Sequence, residues 1–255
     1  MTDDLDVAAR AVRAGAKAAL AATKRGHLEV ETKLSPADLV SEADTAAEQA
    51  IVALLEAERP DDALLGEEGA TRTSNTARRW VVDGIDGTFN FLSGIPHWCV
   101  AVGLEQDGEP QAAAVYDPNA RELFLAAPDH PTTVNGRPAK VRTGRTLKQS
   151  GLATYLREDK SKDRETWLAT LVDHAGVVRA GGAGTLELAW VAAGRVDAWA
   201  QPNVSDWDWI PGAALVRHAG GTAEILDGDP RWHLAGPHQL VDELTNLVPR
   251  DRERG

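Results

Sequence analysis

The run Asp83-Gly84-Ile85-Asp86-Gly87-Thr88 places two carboxylates three residues apart, each followed by glycine, and closes with a hydroxyl. It follows the apolar stretch Trp80-Val81-Val82. A turn at the end of a buried strand accounts for the glycines, but not for the second acid or the threonine. Two further acidic groups stand where apolar runs end or helical patterns begin: Glu67-Glu68 after "ALLG", and Asp206 with Asp208 in "SDWDW". Clustered carboxylates are the ligands a hard cation prefers. Magnesium takes a few of them and leaves positions for water and phosphate. Asp86 also has the placement of an N-cap for a short helix opening at Gly87-Thr88, whose free N–H groups would seat an anion. A metal cluster beside an anion seat is what hydrolysis of a phosphate ester requires.

Each acid also has a plainer reading. Asp86 alone can be only a cap. Asp208 can be one too, because Pro211 belongs in a first helical turn and so sets the helix start near Asp208. Glu67-Glu68 and the charged run at 157–165, which includes Lys160, Lys162 and Arg164, read as solvated surface. His97 and His218 have no neighbour at metal-ligand spacing and read as structural, and the eight tryptophans read as packing residues. Taken singly the acids favour these readings, whereas their joint order favours a site.

The 255 residues carry a formal charge of −12, the wrong sign for gripping a phosphate backbone or an anionic membrane. A phosphorylated substrate remains compatible, since a cation can bridge acid to phosphate. The single cysteine, Cys99, excludes an internal disulfide. The start "MTDDLDVAAR" lacks the order of a secretion signal, and no apolar run approaches the ~20 residues of a membrane span. The expectation is a cytoplasmic protein with neither nucleic acid nor membrane as partner.

Apolar spacing at Leu5, Ala8, Val12, Ala16 and Ala19 predicts a helix over 4–25. Residues 28–33 alternate like an exposed strand, and 35–40 read as a loop. A second helix starts at Ser41, which has Asp44 at capping-box spacing. Ala47, Ile51, Leu54 and Leu55 supply its apolar face. Strands follow at 80–83, at 100–105 and 111–116 around the turn pair Asp107-Gly108, and at 122–126, with a further turn at Asn135-Gly136. Beyond about 145 come a strand entering the glycine-rich "RAGGAG", a helix over 185–193, a strand over 196–200, a helix from "SDWDW" to Ala219, and a last helix at "VDELTNLV". Strands and helices mix in both halves, which predicts α/β or α+β layering within one domain, with an N-terminal half of about 1–145 and a C-terminal half of about 146–255.

"SPADLVSEAD" (35–44), "GEE" (66–68), "WVVDGIDGTFNF" (80–91), "GAGTLELAWVAAGRVDAW" (182–199) and "SDWDWIPGAALVRHAGG" (205–221) resemble, in this order, the inositol monophosphatase family of lithium-sensitive phosphatases. The resemblance implies an αβαβα sandwich of the kind shared with fructose-1,6-bisphosphatase, usually assembled as a homodimer. It implies that Glu67, Asp83 and the Ile85 carbonyl hold one magnesium, that Asp83, Asp86 and Asp208 hold a second, and that a weaker third lies near Glu67. Glu67 and Thr88 would orient the attacking water, and Asp86, Gly87, Thr88, Gly184, Gln201 and Asp208 would face substrate. The implied activity is magnesium-dependent hydrolysis of a small phosphate monoester, inositol 1-phosphate first. Histidinol phosphate is the alternative substrate, and a non-catalytic binding protein on the same scaffold is the alternative of another class.

Three positions depart from the family pattern. Gly84 stands where proline is usual, and if its φ is negative and its N–H unbonded, Gly84→Pro should be tolerated. Pro211 replaces a small residue. Gln201 stands where inositol phosphatases carry a glutamate at the pocket rim, which removes a charged acceptor for substrate hydroxyls.

Overall fold

The computed structural model describes residues 3–24, 29–32, 39–155 and 164–248. The loop expected from residue 35 lies largely outside these residues, as do most of the charged run at 157–165 and Lys160 and Lys162 within it. The chain opens with α1 (Asp4–Thr23), β1 (Val30–Thr32), β2 (Leu39–Ser41) and α2 (Glu42–Glu58). It continues through β3 (Ala63–Gly66), β4 (Thr71–Arg72), β5 (Arg78–Asp86), the short α3 (Thr88–Leu92), β6 (Cys99–Gln106), β7 (Glu109–Asp117), β8 (Glu122–Ala127), β9 (His130–Val134) and β10 (Arg137–Pro138). The remainder is β11 (Gly151–Ala153), α4 (Arg164–His174), β12 (Val177–Arg179), α5 (Gly184–Ala192), β13 (Ala198–Pro202), α6 (Asp206–His218), β14 (Thr222–Leu226), β15 (Trp232–Gly236) and α7 (His238–Leu247).

One sheet has the order β10-β9-β8-β7-β6-β5-β3-β4, a second the order β12-β11-β13-β15-β14, and β1 pairs with β2. Three apolar clusters define the layers. The first joins α1 and α2 to one face of the larger sheet through Val12, Ala16, Ile51, Leu55, Trp80 and Val100. The second fills the space between the sheets with Leu186, Leu188, Ile210 and Leu215 of α5 and α6. The third packs Trp167, Leu171, Leu240 and Leu244 of α4 and α7 on the far face of the smaller sheet. The result is the expected αβαβα sandwich. Among the described residues no helix is long and apolar enough to cross a membrane.

The helical periodicities translate directly into buried stripes, with Leu5, Ala8, Val12, Ala16 and Ala19 all inward on α1. The Ser41/Asp44 capping box of α2 forms as read. Asp107 and Asn135 have φ of 54° and 50°, and the glycines after them 82° and 75°, as two-residue hairpin turns demand.

Two local expectations are corrected. The strand read at 80–83 runs from Arg78 through Asp86, so both acids lie inside β5 and not beyond its end, and its pairing with β6 breaks register between Asp83 and Asp86. Such an irregularity re-aims side chains that strict alternation would split between faces. Helix α6 begins at Asp206 after the N-cap Ser205, which makes Asp208 its third residue and puts Pro211 inside the helix. A proline there removes one helical hydrogen bond. It is accommodated against β6, where a Cβ on Gly103 would lie 3.0 Å from the Pro211 nitrogen.

Gly84 is a third correction. Its φ is not positive, so that part of the expectation stands. However, α2 lies directly over it: a Cβ would sit 2.7 Å from the Asp44 carbonyl oxygen and 3.0 Å from the Glu48 nitrogen. Both obstacles are backbone and cannot swing aside. Gly84→Pro and the milder Gly84→Ala should therefore destabilise the fold by about 1–3 kcal/mol, the range for overpacking. Urea unfolding measures this, and an unchanged midpoint for Gly84→Ala would show that α2 can back away.

Candidate active site

One carboxylate oxygen from each of Asp83, Asp86 and Asp208 lies within 4.8 Å of the others. Asp83 and Asp86 are buried, and Asp208 is half-buried at the start of α6. Both oxygens of Asp83 are enclosed and have no hydrogen-bond partner among the described residues. Burial holds the Asp83 carboxyl well above the usual carboxylate range, and the charges of Glu67, Asp86, Asp208 and Asp44 push it further. Burial likewise raises Asp86 to about 7, against the pull of its hydrogen bonds. An enclosed carboxylate that meets only other acids is among the costliest arrangements a protein can hold, and a divalent cation removes that cost. The donor set is all oxygen, as a hard cation requires. The residues therefore fit magnesium.

Asp86 does cap a helix, but not the one its sequence position suggests. The N-cap of α3 is Gly87, at φ 96°, a left-handed conformation that favours glycine. Asp86 Oδ2 instead accepts hydrogen bonds from the backbone N–H groups of Thr185 (2.9 Å) and Leu186 (3.2 Å), and the Cys99 thiol donates to it from 3.6 Å. It thus caps α5, whose own N-cap, Ala183, has no acceptor side chain. Thr185 also donates its hydroxyl to the Asp208 carbonyl at 3.0 Å, which joins the starts of α5 and α6.

The opposite side is built by α2. Thr88 Oγ1 donates to Asp44 Oδ1 at 2.7 Å and lies 3.2 Å from the Ile85 carbonyl. The other Asp44 oxygen accepts from the Ser41 N–H (2.9 Å) and hydroxyl (2.6 Å). Burial raises the Asp44 pKa, partly offset by the Ser41 and Thr88 hydrogen bonds. Glu67 lies in the turn after β3, and its charge is felt at both Asp83 and Asp86.

The glycine-rich bend closes the third side. Asn90 Nδ2 donates to the carbonyls of His97 and Gly181, both at 2.8 Å. A Cβ on Gly87 would meet that of Ala183 at 3.1 Å, so the bend and the α3 start are in near contact. Gly184 faces Gln201, whose Oε1 would lie 3.7 Å from a Cβ there. Gln201 is only 3% exposed, so it is buried and does not stand at a rim. Glu187, not singled out from sequence, accepts the Gly181 N–H at 2.8 Å and is raised by burial to about 8. The His97 ring lies tilted against that of Trp190, 4.9 Å between centroids, and His218 meets the Gln111 carbonyl at 2.7 Å.

The sequence reading singled out neither Thr185 nor Glu187, and it treated Asp44 only as a capping partner, whereas the structure brings Asp83, Asp86 and Asp208 together. The Thr88–Asp44 bond spans 44 residues and the Asp86–Leu186 bond spans 100. No local pattern encodes either.

Residues 2–246 match the model of the inositol monophosphatase family. A relative from Pseudomonas aeruginosa named Nus factor SuhB is 34% identical over 232 residues, covering 88% of this chain and 86% of its own. An inositol-1-monophosphatase from Rhizobium meliloti is 36% identical over 206 residues, covering 79% and 77% respectively. Among solved structures, an IMPase from Thermotoga maritima superimposes with a TM-score of 0.85 at 25% identity, covering 96% of each chain.

The raised acids predict a pH-dependent metal effect. Unfolded, Asp86 and Glu187 ionise near their ordinary values of 3.8 and 4.5, and folded they ionise at about 7 and about 8. Stability from their neutral forms is complete below the unfolded values and lost as pH rises through the folded ones. The chelated protein should therefore melt lower at about pH 8 than at about pH 5 from this cause. Magnesium should raise the midpoint more at the higher pH, where it need not displace protons. Equal magnesium shifts at both pH values would show that the cation does not bind at these acids.

Proposed function

The chain belongs to the inositol monophosphatase family, and from that membership we propose that it is a magnesium-dependent phosphatase of small phosphate monoesters, with inositol 1-phosphate the leading substrate. The observation that carries the reading is the enclosed, unpartnered Asp83 carboxylate beside Asp86 and Asp208. Asp83, Asp86, Asp208, Glu67 and the Ile85 carbonyl would hold the magnesium ions. Magnesium bound there supplies acidity to a water nucleophile and neutralises phosphoryl charge.

The chain's own side chains then do the positioning. Thr88 Oγ1 gives its proton to the bond with Asp44, so its lone pairs face the site as acceptors for a water proton. Asp44, raised by burial, can take up the proton passed along that bond. Asp86 Oδ2 accepts from the α5 N–H groups, which fixes the carboxylate beside Asp83 and Asp208. Gly87, Thr88 and Gly184 supply backbone for the phosphate, and Gln201 meets the rest of the substrate. A second copy of the chain is the proposed assembly partner.

A second reading follows from the Pseudomonas relative's name, Nus factor: a binding protein on the same scaffold. Phosphate release with magnesium, absent with chelator, separates the two. A screen of phosphorylated metabolites including histidinol phosphate then identifies the leaving group.

Two variants test the assignments. Asp83→Asn removes charge from the shared ligand, so turnover should be almost abolished. Because the buried repulsion also disappears, the chelated variant should melt no lower than the wild type. Normal turnover by the folded variant would refute the site. Gln201→Glu restores a charged acceptor and should improve the ratio of kcat/KM for inositol 1-phosphate over glycerol phosphate by about 1 kcal/mol. An unchanged ratio would remove residue 201 from the substrate wall.

A further inference from the structure

Glu48 lies on α2 one turn beyond Asp44 and is 4% exposed, although it carries a carboxylate. Its Oε2 accepts the Glu68 N–H at 2.7 Å and its Oε1 accepts the Ala70 N–H at 2.9 Å. Each oxygen thus holds one donor of the turn that carries Glu67. Among the described residues no lysine, arginine or histidine forms an ion pair with it. Gly66 makes the approach possible, because a Cβ there would lie 2.5 Å from the Glu48 carboxyl carbon. The turn is also pinned on its other side, where the Glu67 N–H donates to the Val82 carbonyl at 3.2 Å, next to Asp83.

We propose that Glu48 is a positioning residue for the cation site: it fixes the Glu67 turn, and with Asp44 it makes α2 the element that sets Glu67 relative to Thr88. Residues four apart share one face of a helix, so these two carboxylates reach neighbouring parts of the site from a single rigid element. Asp44 holds the Thr88 hydroxyl, and Glu48 holds the turn of Glu67. The backbone between them presses on Gly84 of β5, so a displacement of either grip is not absorbed by slack. Bonds from N–H donors to a carboxylate are about twice as strong as neutral ones, which suits a grip that must hold one acid close to others that repel it. The proposal rests on reading the acid cluster as a cation site.

The test is magnesium binding by calorimetry, with magnesium alone, on the full chain. Glu48→Gln keeps the shape but presents an NH₂ group to a backbone donor, so one of the two grips is lost. Its magnesium affinity should fall by at least about tenfold, the usual effect of disturbing a ligand's support, and kcat should fall with KM for substrate little changed. Its metal-free melting point should fall by no more than the loss of one buried hydrogen bond, while the fall in magnesium affinity persists well below that temperature, a combination that a purely structural role would not produce. Wild-type magnesium affinity in Glu48→Gln would overturn the proposal. If that variant does not fold, Glu48→Asp, which keeps the charge but shortens the reach, decides in the same way: weakened binding supports the proposal and unchanged binding overturns it. Asp83→Asn is the control. If it binds magnesium as the wild type does, the cation-site reading itself is wrong. If it loses binding while the Glu48 variants keep theirs, only the role of Glu48 is.

Discussion

Everything near the site answers to one electrostatic constraint: several carboxylates converge where water cannot screen them. Among the described residues Asp83 has no hydrogen-bond donor, and its neighbours in charge are Glu67, Asp86, Asp208 and Asp44. Left alone, such a group would relax apart or stay protonated. The two-sheet sandwich supplies the counterforce. Its apolar clusters lock β5 between α2 on one side and α5 with α6 on the other, so the acids cannot separate without unpacking a core. The electrostatic cost stored by that packing is what makes the place attractive to a divalent cation.

The acids are then distinguished by what else they touch. Asp83 has no donor among the described residues. Asp86 gives one oxygen, Oδ2, to the N-terminus of α5 while its carboxylate lies beside Asp83 and Asp208. Asp44 is surrounded by three donors, two from Ser41 and one the Thr88 hydroxyl. Identical chemical groups thus acquire different work from their hydrogen bonds. Close backbone approach makes these assignments possible. At Gly66 and Gly84 a side chain would collide with the Glu48 carboxylate or the α2 backbone, and at Gly87 the chain turns left-handed beside the glycine-rich bend. The glycines of the opening motif therefore serve two ends. One admits a helix and the other turns the chain.

The sequence by itself determined the layered α/β class, the amphipathic helices, the hairpin turns and the acids to be brought together. These are local or periodic properties: an apolar face repeats every three or four residues, and an Asp-Gly or Asn-Gly pair supplies its own positive φ. Tertiary structure decided the rest. Whether Gly84 tolerates a side chain depends on α2, forty residues earlier, and the φ that sequence reasoning considered was not the deciding quantity. The local pattern at Asp86 is compatible with capping α3, yet α5 offers unsatisfied N–H groups at better reach, and only the folded chain puts them there. Helix α6 begins at Asp206, two residues before Asp208, and the space beside Gly103 accommodates Pro211 within the helix. Gln201 was legible as a departure, whereas its burial against Gly184 was not. Hydrogen-bond valence and excluded volume are satisfied between segments distant in the chain, so they become readable only once packing has chosen the neighbours.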